Sequence, residues 1–327
     1  MTQQPMKHFK IFLILALFPV FNATCQDNKS SNIALLSNQI PTDTPLVFAK
    51  GVISIDNHVM GSITFNPAMD ELFFQRRASD ESHNIYTMKL INGQWSKPVF
   101  APFSTNKKYL DFHIRFHPKG DRLYFGSTRP LNATAKPSGL HQWYIKKTAN
   151  GWGTPIPLLD TPFAGRFAMC TTPAANGNLY FTSKEKGQKL KDEGIYYAIN
   201  KGGHYTSAKK MGKAINYPGT WIAHPYVAPD ESYIIYDAER TSEYENGDLY
   251  ISFNQNGTWS KSYSLGPKIN TKLSEGAATV SPDGKYLFFS RGSEKVRKDG
   301  SKYWTGSLYW VDFVRLKKEI LKKHKDN

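Results

Sequence analysis

The chain has 327 residues, 40% hydrophobic, 14% aromatic and 21% charged, with a net charge of +15. This composition excludes a disordered or fibrous chain and leaves ample length for a core. Two cysteines, Cys25 and Cys170, predict no disulfide framework and no cysteine-based zinc site; the basic balance fits a polyanion partner, an acidic surface or plain solubility.

Residues 1–25 read as a secretion signal. Lys7, His8 and Lys10 form a basic start, and the apolar run IFLILALFPVF (11–21) is too short to span a bilayer comfortably. Asn22-Ala23-Thr24-Cys25 resembles a bacterial lipoprotein cleavage site, with Cys25 as the lipidated residue and membrane attachment through it. Asn22 stands where Leu is usual, and Ala23 equally permits ordinary cleavage after Cys25. Either route predicts an extracytoplasmic protein of the cell envelope: periplasmic, an outer-membrane lipoprotein, or secreted. That location argues against a nucleic-acid partner despite the charge. Residues 26–43 are polar, rich in Ser and Asn, and read as a flexible linker.

From residue 44 a repeat takes over. Turns at Pro67, Pro118, Pro173, Pro229 and Pro282 recur roughly every 50 residues. Each follows a short strand and precedes an aromatic one: ELFF (71–74), RLYF (122–125), NLYF (178–181), YIIY (233–236) and YLFF (286–289). A third strand follows a polar loop (NIYTM, QWYIK, GIYYA, DLYIS, SLYWV), and a fourth begins near Trp or Tyr, three times after Asn-Gly. Strands at this period predict an all-β propeller over 44–313 with five four-stranded blades; a sixth would need further strands within 33–58. The last repeat lacks its fourth strand. TPLVFAK (44–50) resembles the fourth strands elsewhere, so it is expected to complete that blade and close the ring. Residues 314–327 predict a basic helical tail, either packed by Leu316, Ile320 and Leu321 or free to meet a membrane surface or polyanion.

SPDGKYLFFS (281–290), with its partner APDE (228–231), resembles the TolB-type, WD40-like repeat propellers of bacteria. The similarity covers about residues 44–313. Three repeats depart from it, reading NPAMDE, HPKGDR and TPAANGN, without Asp after Pro. The resemblance implies the fold. It is open on function, because such propellers serve as interaction platforms, as peptidase substrate-guiding domains and as lyase-like enzymes. A peptidase role is not expected, since no peptidase domain follows.

In a propeller the first strands line a central channel, and ligands bind at one mouth of it. Counting back from each turn proline with strict alternation, one face gathers Asp111, His113, Arg115, Arg166, His224, Tyr226 and Glu275. It also carries Met60, Ser62, Thr64, Ala168, Cys170, Ile222, Ala277 and Thr279. A second ring, Arg76, Arg129, Lys184, Arg240 and Arg291, follows the second strands, one per blade. Together they predict a cationic mouth suited to carboxylate, sulfate or phosphate groups, in a monomeric binding protein for an anionic glycan or an envelope protein partner. Pairing of the ring with Asp111, Glu239 and Glu275 is the competing structural reading. The enzymatic alternative is β-elimination of an acidic polysaccharide, with His224, Tyr226 and His113 as acid–base groups and Arg115 or Arg166 neutralising a uronate. Cys170 reads as a plain buried thiol. No ligand pair has the spacing of a metal motif, and no nucleotide or nucleophile motif occurs, so no metal and no cofactor is assigned.

Overall fold

The computed structural model describes residues 32–78, 83–104, 109–132, 134, 140–164, 166–185, 187–189, 192–217, 221–239 and 247–325. Cys25, the signal segment and Arg240 lie outside them. The described strands fall into four sheets, the largest joining two blades, and five antiparallel units within them are arranged as the blades of a propeller. Their innermost strands are His58–Phe65, Asp111–Phe116, Ala168–Pro173, Ile222–Val227 and Ser274–Val280. Each pairs with the aromatic second strand, which pairs with the third, and short outer strands complete the blade. The closing strand is where the sequence put it: Leu46–Val47 pairs with Lys302–Asp312 through Leu46–Trp310 and Val47–Tyr309. A single parallel bridge, Val59 to Gly306, joins the last blade to the first.

The turn chemistry explains the repeat. Ser281 donates its N–H to Tyr286 O (2.8 Å), and its hydroxyl accepts from Tyr286 N–H (2.9 Å). The residue two places after the turn proline lies in the left-handed region: Met69, Gly120, Glu231 and Gly284. In the third blade the residue that does so is Gly177, and Ala174 N–H donates to Asn178 O (2.9 Å). That turn therefore begins two residues later than expected, at Ala175. Pro173 instead ends the inner strand, which tolerates proline because its outer edge faces the channel.

Aromatic second strands supply the cores between blades. Phe48, Phe65, Phe288 and Trp310 bury the closure, with Phe48 4.9 Å from Phe288 and 5.2 Å from Trp310 between ring centroids. The C-terminal helix, Phe313–Lys325, is capped by Asp312, whose carboxylate accepts from Arg315 N–H (2.9 Å). Phe313, Leu316 and Ile320 pack it onto the last two blades. No helix among the described residues is long and apolar enough to cross a membrane.

A register shift interrupts every inner strand at its middle: between Met60 and Ile63, Phe112 and Arg115, Met169 and Thr172, Ala223 and Tyr226, and Gly276 and Thr279. A bulge inserts one residue and reverses the facing of all that precede it. The strict alternation used on the sequence fails at this point.

Candidate functional site

Four bulges hold a non-glycine residue in the left-handed region: His113 (φ 50°), Cys170 (59°), His224 (51°) and Ala277 (54°). An L side chain there costs about 1 kcal/mol or more. The preceding blade offsets that cost with a side-chain clasp. Gln75 Oε1 accepts from His113 N–H (3.1 Å), Thr182 Oγ1 from His224 N–H (3.0 Å), and Asp237 Oδ1 from Ala277 N–H (3.3 Å). In the third blade Gln142 reaches Thr171 N–H (3.3 Å) and Ala168 O (2.9 Å) instead. The bulge residues of three successive blades converge. The His113 and His224 rings stack at 4.4 Å and 30°, and one ligand atom each of His113, Cys170 and His224 lies within 4.8 Å of the others.

The electrostatics of the two histidines diverge. Burial works against a charge on His224, but the Asp237 carboxylate, at 2.8 and 3.0 Å from Nδ1, outweighs it and holds the imidazolium well above its ordinary range. His113 is pushed well below that range by burial, reinforced by the charges of His224, Arg115 and His83. Its Nδ1 is buried without a hydrogen-bond partner. Burial also pushes the Cys170 thiol up. The shifted third turn is what brings Cys170 here: the sequence count placed Ala168 at this level and Arg166 beside it.

Arg115 does not face the histidine layer's mouth. It crosses the channel on the turn side, donating to Ile63 O (3.3 Å), Ile114 O (3.3 Å), Ala277 O (3.5 Å) and Ala278 O (2.9 Å). These carbonyls belong to innermost strands; among the described residues only the first of these has a second neighbour, through the Val59–Gly306 bridge. Beyond Arg115 lies a cavity of about 250 Å³ lined by Tyr226, Thr64, Thr172 and Thr279. Tyr226 is buried, and its hydroxyl donates to Val280 O (3.4 Å). His224 and Tyr226 therefore do not share one space, although they are two residues apart.

The remaining candidates sit elsewhere. Asp111 and Glu275 precede the bulge and are turned away from the axis. Both are 2% exposed. Asp111 accepts from Arg129 at 2.8 Å on both oxygens, and Glu275 from Arg291 Nε at 2.8 Å. Burial pushes both carboxyls up, against the pull of these guanidinium groups. The second-ring arginines share a structural task. Among the described residues, the Arg76, Arg129 and Arg291 guanidinium groups each lie over an aromatic ring of their own blade and tie down the loop entering the inner strand. Arg76 donates to Val52 O (2.9 Å) over Tyr86, Arg129 to Phe103 O (3.0 Å) over Phe125, and Arg291 to Ile269 O (2.7 Å) over Tyr309. Arg166 pairs with Glu185 at 3.1 Å, and Lys184 donates to Gln188 O. The cationic mouth read from the sequence is thus partly neutralised by Asp111, Glu275 and Glu185.

Sequence reasoning missed Gln75, Arg77, His83, Glu193 and Asp237. Gln75 hydrogen-bonds His83 Nδ1, and Arg77, beside His83, has a buried Nε without a partner. Glu193, buried near Trp221 and His224, is pushed up by burial and has an unpartnered Oε2. The signal was present for two of these. Gln75, Thr182, Asp237 and Ser290 each follow the four-residue aromatic run of the second strand, a polar place in an otherwise apolar element.

No protein-family model and no curated protein sequence matches the chain. Among solved structures it is similar to TolB from Acinetobacter baumannii, at 14% identity over 76% of this chain and 55% of that one, with a TM-score of 0.46. It is likewise similar to a gluconolactonase from Xanthomonas campestris (11%, 84% and 95%, 0.46) and an α-L-arabinofuranosidase from Podospora anserina (9%, 84% and 98%, 0.45). The chain spans about half the length of the TolB structure. These likenesses concern fold alone. On its own sheet topology, the chain is a β-propeller.

Proposed function

We propose that the chain is an extracytoplasmic, non-catalytic binding module that takes an acidic glycan at the channel mouth opposite the proline turns. The observation that carries this reading is the set of cations left without a carboxylate partner among the described residues. Arg129, Arg291 and Arg166 are matched by Asp111, Glu275 and Glu185. Arg76 donates to backbone carbonyls, Lys184 donates to Gln188 O while its charge also acts on the Glu193 carboxyl, and Arg77 keeps an unpartnered Nε. A buried donor without a partner costs about 1–3 kcal/mol, which an anionic ligand would recover. The lyase alternative has less support, because its proposed acid–base pair, His224 and Tyr226, is separated by the Arg115 level.

Titration calorimetry with uronate-rich and sulfated polysaccharides tests the proposal. Arg77→Glu with Lys184→Glu is expected to weaken binding at least about 10-fold with the fold intact. Binding unchanged by those reversals would refute it. New ultraviolet absorbance from an acidic polysaccharide, lost in His224→Ala, would instead establish the lyase.

A further inference from the structure

We infer that His113, Cys170 and His224 form a binding site for a borderline-soft divalent cation of the zinc class. The inference goes beyond the anionic-ligand reading and stands without it. Three residues from three successive blades are held at equivalent left-handed bulge positions, so their side chains meet at the axis and not between blades. Their donor atoms lie within 4.8 Å of one another, close enough for small rotamer adjustments to bring two nitrogens and a sulfur to roughly 2.0–2.3 Å from one ion. The donor set decides the class. Calcium and magnesium take oxygen ligands, whereas imidazole and thiolate together suit zinc and its first-row neighbours.

Two further observations point to a ligand. His113 Nδ1 is a buried polar atom with no hydrogen-bond partner. His224 is already oriented as a coordinated histidine is: a carboxylate, Asp237, accepts from Nδ1 and leaves Nε2 as the donor atom. Asp237 is itself fixed from the other side by Ala277 N–H. The charges also balance. A Cys170 thiolate and the Asp237 carboxylate set two negative charges against the cation's two positive ones. Arg115 adds a positive charge nearby, but its donors are spent on carbonyls on the turn side. With three protein ligands, the fourth coordination position remains for water or an incoming anion, the arrangement of a reactive site and not of a closed structural one. On binding, the Cys170 thiol and the His224 imidazolium each release one proton to solvent, and the metal bonds form to the thiolate sulfur and to the freed Nε2.

The test uses the full chain carrying Cys25→Ser, which leaves Cys170 as the sole cysteine. The metal-stripped protein is titrated with Co²⁺ and then with Zn²⁺, read by absorbance and calorimetry. The expected result is uptake of one Co²⁺ with a thiolate-to-cobalt charge-transfer band, displaced by Zn²⁺. Cys170→Ser is expected to abolish the band. Asp237→Asn, which removes a positioning residue, should retain it while weakening affinity by about 10–100-fold, and His224→Gln should weaken affinity by more. Circular dichroism follows the fold. Should Cys170→Ser fail to fold, His113→Gln, at a half-buried side chain, carries the same expectation of lost affinity. No saturable uptake, uptake without the band, or affinity unchanged in His113→Gln would overturn the inference.

Discussion

The pair Asp111–Arg129 separates a structural arginine ring from a ligand-binding one. Asp111 is 2% exposed, and both its oxygens accept from Arg129 at 2.8 Å. The same guanidinium holds Phe103 O and lies over Phe125. Arg129→Met keeps the stem that covers the aromatic ring but strands the carboxylate. Removing one partner of a buried pair costs about 3–5 kcal/mol, mostly because the remaining charge is desolvated. Arg129→Met with Asp111→Leu removes both charges and should recover most of that loss. The assay is urea denaturation of the four proteins of the cycle, followed by tryptophan fluorescence, with the m-value checked for constancy. A pH series adds an independent sign. Burial already pushes Asp111 up, and without Arg129 only the Ser127 and Ser104 hydroxyls oppose it. A carboxyl raised in the folded state binds its proton more readily there than in the unfolded chain. Arg129→Met should therefore regain stability, relative to the parent, as pH falls through the folded value toward the unfolded one near 3.8. Glycan affinity should be unchanged. A loss below about 1 kcal/mol, or lost binding with stability retained, would refute the structural assignment and return Arg129 to the ligand site.

Phe48→Ala should cost about 3–5 kcal/mol, because the ring is fully buried against Phe288, Trp310 and Phe65 where the N-terminal strand closes the ring; a shift in the urea midpoint corresponding to less than about 1 kcal/mol would mean that the closing strand is dispensable. The protein should lose stability on acidification. Burial, reinforced by Arg77, holds His83 at about 4, below its ordinary 6.5; the unfolded chain binds the proton first, so up to roughly 3 kcal/mol present above pH 6.5 disappears as pH falls toward 4. His117, also lowered chiefly by burial, acts in the same direction. His83→Gln should flatten this part of the stability–pH curve measured by denaturation, and an unchanged curve would contradict it. Arg115→Met should join the cavity beyond Arg115 to the histidine layer, detectable as faster alkylation of Cys170 in the Cys25→Ser background; an unchanged rate would show that Arg115 is not the barrier.

The fold was legible because it is written five times. Turn proline, aromatic run and Asn-Gly hairpin repeat, and the missing fourth strand of the last blade has its match in Leu46-Val47-Phe48. Local chemistry sufficed wherever sequence spacing equals structural spacing. It failed in the third repeat. There Pro173 imitates the turn residue of its siblings, but the left-handed position that the turn demands is taken by Gly177, two places later than the proline predicts. That displacement alone moved Arg166 into the expected site and Cys170 out of its true level.

The candidate site was less legible for a more general reason. A period-two reading of an inner strand assumes an uninterrupted ladder, and all five ladders carry a bulge. Residues before the bulge, such as Asp111 and Glu275, turn into the blade and meet arginines. The bulge residue turns to the axis, and Arg115, after it, lies across the channel. Nothing local marks the bulge: His113, Cys170, His224 and Ala277 are not of one chemistry, none is glycine or asparagine, and only the two histidines are of a type more tolerant of left-handed backbone. What fixes the conformation is a non-local partner, the Gln75, Gln142, Thr182 or Asp237 side chain of the preceding blade. A ring of blades thus positions its axial residues through contacts between repeats. The informative sequence comparison is therefore not along one inner strand but between the residue ending each aromatic run and the bulge of the next repeat. On that comparison Asp237 stands out, because it is the one charged member of the set and serves two masters, Ala277 N–H in the next blade and His224 Nδ1 in its own. Its replacement by Asn keeps a hydrogen-bonding side chain for Ala277 but removes the charge that holds His224, so it should leave the blade contact in place while altering the axial site.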